Sequence, residues 1–187
     1  YGPTVILGVL IALGIGFGWR YWHAYKVRNG QAASIAYVNM IGATIEDLNT
    51  EAATFADTLT KKYSGTPYAK FASMLLAKQA VEKGNLPEAV TRLSWVVNNA
   101  SNLSIKQAAK IRLANVYLAQ HKPQLALSTL QTVDNKTYIG MINAARGDAY
   151  LALKQPKNAK KAYHAAQTAL PATAASLIEM KLANIES

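Results

Sequence analysis

The sequence contains no cysteine. Disulfides and cysteine-based zinc sites are therefore excluded, although the compartment stays open, because a protein of an oxidising space can simply avoid thiols. Acidic residues are scarce: 10 against 20 Lys and Arg in 187 residues, for a formal charge of +10. Those few carboxylates are dispersed, and Glu46, Asp47 and Asp57 read as helix ends or solvated faces rather than an acid–base pair. The three histidines, His23, His121 and His164, lie far apart with no acidic partner at ligand spacing. No glycine-rich phosphate loop, HExxH or GxSxG occurs. Nothing points to an enzyme, a bound metal or a cofactor. Stacking aromatics interleaved with arginine are also missing, which argues against a nucleic-acid partner despite the basic balance. The lysines are scattered, densest at Lys157, Lys160 and Lys161, as on a solvated helical surface.

What the chain does carry is one long apolar run at its front. From Val5 to Trp22 the only charged residue is Arg20, and about 20 mostly apolar residues suffice to cross a hydrocarbon core as a helix. Trp19, Tyr21, Trp22 and Tyr25 then cluster at one end, where indole and phenol rings suit a lipid–water boundary, and Arg20 can reach the same level. Bulky WRYWHAYK stands where a cleaved signal peptide would need small residues. The expectation is a membrane anchor in contact with lipid, carried by Val5, Leu7, Leu10, Leu13, Phe17, Trp19, Tyr21 and Trp22. Gly8, Ala12 and Gly16 are four apart, as are Gly14 and Gly18, a spacing that lets two membrane helices approach. Glycine is common in such helices anyway, so pairing stays open. Arg20, Lys26 and Arg28 follow the run, but the positive-inside rule compares both flanks of a span, and these charges leave the side undecided.

Past Gly30 the pattern turns helical. Ala, Leu, Lys, Gln and Glu dominate, strand signals are almost absent, and turn residues recur at intervals that leave segments of helix length between them. Three stretches align without gaps: NLPEAVTRLSWVV, KPQLALSTLQTV and QPKNAKKAYHAA. Their shared alanines are Ala89, Ala126 and Ala159. Each stretch follows a helix with a small residue and a partner three on: Ala77 with Ala80, Ala114 with Tyr117, Gly147 with Tyr150. The expected fold class is all-α, an N-terminal transmembrane helix followed by an array of antiparallel helix pairs.

This pattern resembles the tetratricopeptide repeat. The third copy matches best, with Gly147, Tyr150, Ala159, Tyr163, Ala166 and Pro171 in register; Leu93 and Leu130 replace the aromatic elsewhere, and Val96 and Val133 the second alanine. The resemblance implies a right-handed stack with repeats at about 68–101, 104–136 and 138–171. A degenerate helix pair over 31–63 would lead it and a helix over 172–187 would cap it, so that 1–27 is the anchor and 28–187 the repeat domain. It also implies a partner groove lined by the first helix of each pair. Counted from the aligned small residues, the candidates are Phe71, Met74, Lys78, Ile111, Asn115, Leu118, Met141, Asp148 and Leu151; for any one of them core packing is an equal alternative.

The front of the chain, VILGVLIALGIGFGWRYWHAYKV running into QAASIAYVNM, together with the short repeat array, is similar to the ancillary subunit of the bacterial SecYEG translocon. That resemblance implies a single-pass inner-membrane protein with a cytoplasmic N-terminus and a periplasmic helical domain. Its implied partners are the SecYEG translocon, a membrane-anchored parvulin-like periplasmic chaperone and exported client polypeptides. The implied role is a chaperone-like adaptor; the alternative is a structural scaffold of another envelope complex that binds no clients.

Overall fold

The computed structural model describes the backbone of residues 2–186 and the side chains of residues 13–185. Among the described residues, nine α-helices and one 3-10 turn account for the regular structure: α1 (Gly2–Ile45), α2 (Asn49–Lys62), α3 (Pro67–Glu82), α4 (Leu86–Asn99), α5 (Leu103–Ala119), α6 (Pro123–Thr129), the turn Lys136–Tyr138, α7 (Ile139–Ala152), α8 (Pro156–Ala169) and α9 (Ala172–Glu186). Proline explains several starts. Pro67, Pro123 and Pro156 are the first residues of their helices, and Pro3 and Pro87 the second; Pro171 stands just ahead of α9. Proline's fixed φ is already helical, and its missing N–H costs nothing in a first turn. Asn85 and Asn102 cap α4 and α5, their side-chain oxygens accepting the N–H groups of Glu88 and of Ser104 and Ile105.

The chain forms two compact units, one up to Ala69 and one from Lys70 onward. In the first, α1 runs unbroken through Gly30 and packs its C-terminal half on α2. Ala33, Met40 and Ala43 of α1 and Ala52, Ala56 and Leu59 of α2 are buried, and the Tyr37 and Tyr68 rings lie 5.8 Å apart. The described side chains in the N-terminal half of α1 have no such cover. Leu13, Ile15, Phe17, Trp19, Tyr21, Trp22 and Tyr25 are all exposed. Of the anchor and pairing candidates, Val5, Leu7, Gly8, Leu10 and Ala12 lie outside the described side chains. Among the described residues, no helix is long and apolar enough to cross a membrane.

The second unit contains most of α3 and all of α4 to α9. The aligned alanines Ala89, Ala126 and Ala159 are fully buried, as are Leu130 and Tyr163, with Leu93 nearly so. Four hairpins share one turn. Asp47, Gly84, His121 and Lys154 each take a left-handed φ, between 57° and 73°. The following N–H reaches back to a carbonyl of the first helix: Leu48 to Ala43 (2.8 Å), Asn85 to Ala80 (2.7 Å), Lys122 to Tyr117 (2.8 Å) and Gln155 to Tyr150 (2.9 Å). This is the six-to-one bond of a left-handed helix C-cap. Only one of the four positions is glycine, so the tertiary packing holds the other three against the cost of a left-handed side chain.

The second repeat departs from the others. Its sequence reads as helical to Val133, yet α6 stops at Thr129 and leaves Val133 exposed. Side chains of neighbouring helices occupy the released backbone. Arg146 of α7 donates to the Leu130 carbonyl (2.7 Å), and Gln107 of α5 accepts the Asp134 N–H (2.7 Å). Lys110 of α5 pairs with Asp134 and donates to Thr132 (2.6 Å), with both charged side chains mostly buried. Those polar contacts replace the turns that α6 would otherwise add.

The third repeat is the tightest. A Cβ on Gly147 would lie 2.3 Å from a ring carbon of Tyr163, which is fully buried. The Tyr163 hydroxyl donates to Asp148 Oδ1 (2.6 Å), and Lys181 of α9 donates to the same oxygen (2.5 Å) while facing the Tyr163 ring. One carboxylate thus ties α7, α8 and α9 together. Burial first, then the hydrogen bond and charge of Asp148, push the Tyr163 hydroxyl well above the ordinary tyrosine pKa.

Two outcomes follow for stability. Gly147→Ala lowers the stability read from the denaturant midpoint by about 1–3 kcal/mol, because the overlap with Tyr163 outweighs the roughly 1 kcal/mol that alanine adds in a helix. Tyr163→Phe costs about 1.5–3 kcal/mol near neutral pH. Since the folded pKa is raised, that contribution is complete below about pH 10 and is lost as pH rises further, where the unfolded chain releases a proton that the fold retains. Melting temperatures of parent and variant therefore converge above about pH 10.

Candidate functional site

The first helices of successive repeats, α3 and α5, frame an open groove of about 550 Å³ within the second unit. Met74, Leu75, Lys78, Val81 and Glu82 line it from α3, and Arg112, Asn115, Val116 and Ala119 from α5, with Leu93 of α4 at the floor. Spacing accounts for this. Leu75, Lys78 and Glu82 recur at helical steps of three and four, and Arg112, Asn115 and Ala119 repeat the same offsets from the aligned Ala77 and Ala114.

The lining is mostly apolar, with charge held at the rim. Lys78 pairs with Glu82 across one turn (3.4 Å) with both side chains largely in water. Arg112 crosses from α5 to α3, donating to the Ala108 carbonyl (3.2 Å) and meeting the Met74 sulfur at 3.9 Å. Methionine is unbranched and polarisable, so a wall built on Met74 can refit to differently shaped side chains. Such a lining offers shape and apolar surface, with Lys78, Glu82 and Arg112 as its charged side chains. Among the described residues, no three His, Asp or Glu side chains stand close enough to hold a metal ion, and His23, His121 and His164 are all exposed.

Of the residues that the sequence nominated, Met74, Lys78 and Asn115 come together on the groove walls. Phe71, Met141 and Leu151 are exposed on α3 and α7 but are not part of this groove. Ile111 is buried among Ala114, Ala126, Leu130 and Ile142, and Leu118 packs half-buried against the same cluster. Asp148 holds the position equivalent to Lys78 and Asn115, yet it is occupied by Tyr163 and Lys181. The reason is α9, which brings Lys181 to the place where a further repeat would leave a groove open. On the two walls Leu75, Val81, Glu82, Arg112, Val116 and Ala119 were missed. Leu75 and Arg112 share an offset two residues before the aligned alanines, so the repeat register held the signal, while Val81 needed the turn at Gly84 to be placed. A smaller cavity of about 320 Å³ lies where α6 ends, between Leu127, Ser128, Gln131, Arg146 and Tyr150.

The pattern that defines the tetratricopeptide repeat-like domain matches residues 1–187. The chain is 28% identical over 185 residues to a protein of Escherichia coli (strain K12) named ancillary SecYEG translocon subunit, covering 98% of this chain and 89% of that relative. Proteins of the same name are similarly close: 29% identical in Aggregatibacter actinomycetemcomitans, covering 97% and 88% of the two chains, and 27% in Haemophilus influenzae, covering 98% and 90%. No solved structure gives a significant match. With its hairpins closed by one shared turn, its alanines buried in register and its whole length matched by that pattern, the chain belongs to the tetratricopeptide repeat-like domain family.

Proposed function

We propose that the protein is a membrane-anchored adaptor of the bacterial SecYEG translocon, standing in the periplasm and assisting newly exported chains through protein–protein contacts. The observation that carries this reading is the likeness, over nearly the whole chain, to proteins named as ancillary subunits of that translocon. Anchoring is supported by the apolar run that begins at Val5 and by the exposure of its described part. Seven large apolar or aromatic residues between Leu13 and Tyr25 face solvent with no protein cover, which a helix surrounded by lipid would bury. The Trp19 and Trp22 rings sit 5.5 Å apart and Lys26 lies 3.8 Å above Trp22, a cluster suited to the boundary between acyl chains and headgroups. In this reading the N-terminus is cytoplasmic and the helical body periplasmic, beside a parvulin-like membrane-anchored chaperone. The groove between α3 and α5 takes apolar stretches of client or partner chains.

An anchor holds such a groove at high effective concentration near the channel without new contacts. Mild-detergent purification of the full chain from its own membranes is expected to bring translocon subunits with it. Replacing 8–18 by a generic Leu-rich span is expected to reduce that recovery if the anchor docks; recovery unchanged by the swap moves the contact to the helical body, and absence of every translocon subunit overturns the reading in favour of a scaffold in another envelope complex. Met74→Asp places a charge on the apolar wall and is expected to cut crosslinking to exported chains about tenfold, the effect of about 1.4 kcal/mol. Because Met74 is partly buried against two clusters of the core, the loss counts only if the thermal melt of the variant stays close to that of the parent.

A further inference from the structure

α1 has two sides in its C-terminal half. One packs on α2 through Ala33, Met40 and Ala43. On the other stand Ile35, Val38 and Ile45, which are 64%, 63% and 80% exposed. Gly42 falls in the same row, with open space where its Cβ would be. The steps along this row are three, four and three, the spacing by which one helix seats against another in a left-handed pair. A solvent-facing helix normally places polar residues there. Three β-branched side chains left bare in that register instead mark a contact surface.

Followed toward the N-terminus at the same spacing, the row passes Gln31 and reaches Arg28, which is also exposed. Charge now selects the occupant. Residues 1–45 hold Arg20, Lys26 and Arg28 and no Asp or Glu at all; the first carboxylate is Glu46. A second copy anchored in the same membrane would run parallel and set Arg28 against Arg28 in one layer, which is unfavourable. A different helix with a carboxylate at that level would gain from the same arginine.

We propose that this face of α1 docks a helix of a different membrane-anchored chain, apolar where it meets Ile35, Val38 and Ile45 and acidic beside Arg28. The proposal rests on the anchored reading above, because a shared membrane is what aligns the two helices. It differs from the client groove, which lies between α3 and α5.

Site-directed photocrosslinking of the full chain in its native membranes tests it. A photoreactive residue at Val38 is expected to yield one discrete protein adduct, at least about fivefold stronger than one at the exposed Lys61 of α2. Mass spectrometry should place the crosslink in an apolar helical segment carrying Asp or Glu. Arg28→Glu should weaken the adduct about fivefold, and so should Ile35→Ser combined with Ile45→Ser. Changing the partner's carboxylate to Lys should restore the adduct in the Arg28→Glu background. An adduct between two differently tagged copies of this chain, an adduct with lipid alone, equal labelling from Lys61, or indifference to the charge exchange each overturns the proposal. Alkaline extraction of the same membranes reports anchoring separately: a chain that stays in the membrane but gives no Val38 adduct defeats the seam alone, and a chain that is extracted defeats the anchored reading.

Discussion

Close approach of two helices governs the second unit. In each repeat a large side chain of the second helix lies on the first, and it fits only because the first helix is small at that height. The third repeat carries this furthest, with Tyr163 lying where any Cβ of Gly147 would be. Leu93 and Leu130 fill the same place over Ala77 and Ala114, which keep a Cβ because leucine is narrower than a tyrosine ring. Once that distance is set, the buried alanines Ala89, Ala126 and Ala159 follow, since only small residues fit where the backbones converge. The groove is a consequence of the same packing. First helices turned inward against their partners leave the opposite side of α3 and α5 free to face each other across open space.

The turns are subordinate to that packing. Asp47, His121 and Lys154 adopt a backbone region that costs an ordinary side chain roughly 1–2 kcal/mol, and each is held there by a returning N–H bond and by the helices on either side. Asp47 also accepts a hydrogen bond from the Asn49 side chain at 2.8 Å, a local compensation that suits an acidic residue in this conformation. Where packing is weaker the chain gives way. At the end of α6 the β-branched Thr132 and Val133 and the polar Asp134 and Asn135 leave the helix, and Gln107, Lys110 and Arg146 satisfy what the helix released. That shortened helix is why one end of the second repeat opens into a cavity instead of a further turn.

The function proposed above draws on two surfaces of different chemistry. The α3–α5 groove is apolar at its centre and charged at its rim, and a surface of that kind suits many sequences, because burial and not hydrogen-bond matching is what it offers. The exposed row on α1 has a fixed spacing and one charge at a fixed height, and the docking proposed for it is therefore selective. The proposed adaptor role calls on both kinds of contact, one permissive and one selective.

Much was legible in the residues alone. The all-α class, the phase of three repeats and the buried alanines follow from periodicity and from residue size, which are local properties of the chain. So does the character of the N-terminal run, whose apolar length and aromatic end owe nothing to any other segment. The lining of the groove was only half legible. Met74, Lys78 and Asn115 could be counted from the repeat register, but Ile111 sits one helical step away in the core and Asp148 is claimed by Tyr163 and Lys181. Which side of a helix is bare depends on what covers it. Tertiary structure alone decided that α6 would end at Thr129, that α9 would carry Lys181 to Asp148, and that Ile35, Val38 and Ile45 would be left open. Each of these outcomes depends on contacts between residues far apart in the chain, and no local pattern records them.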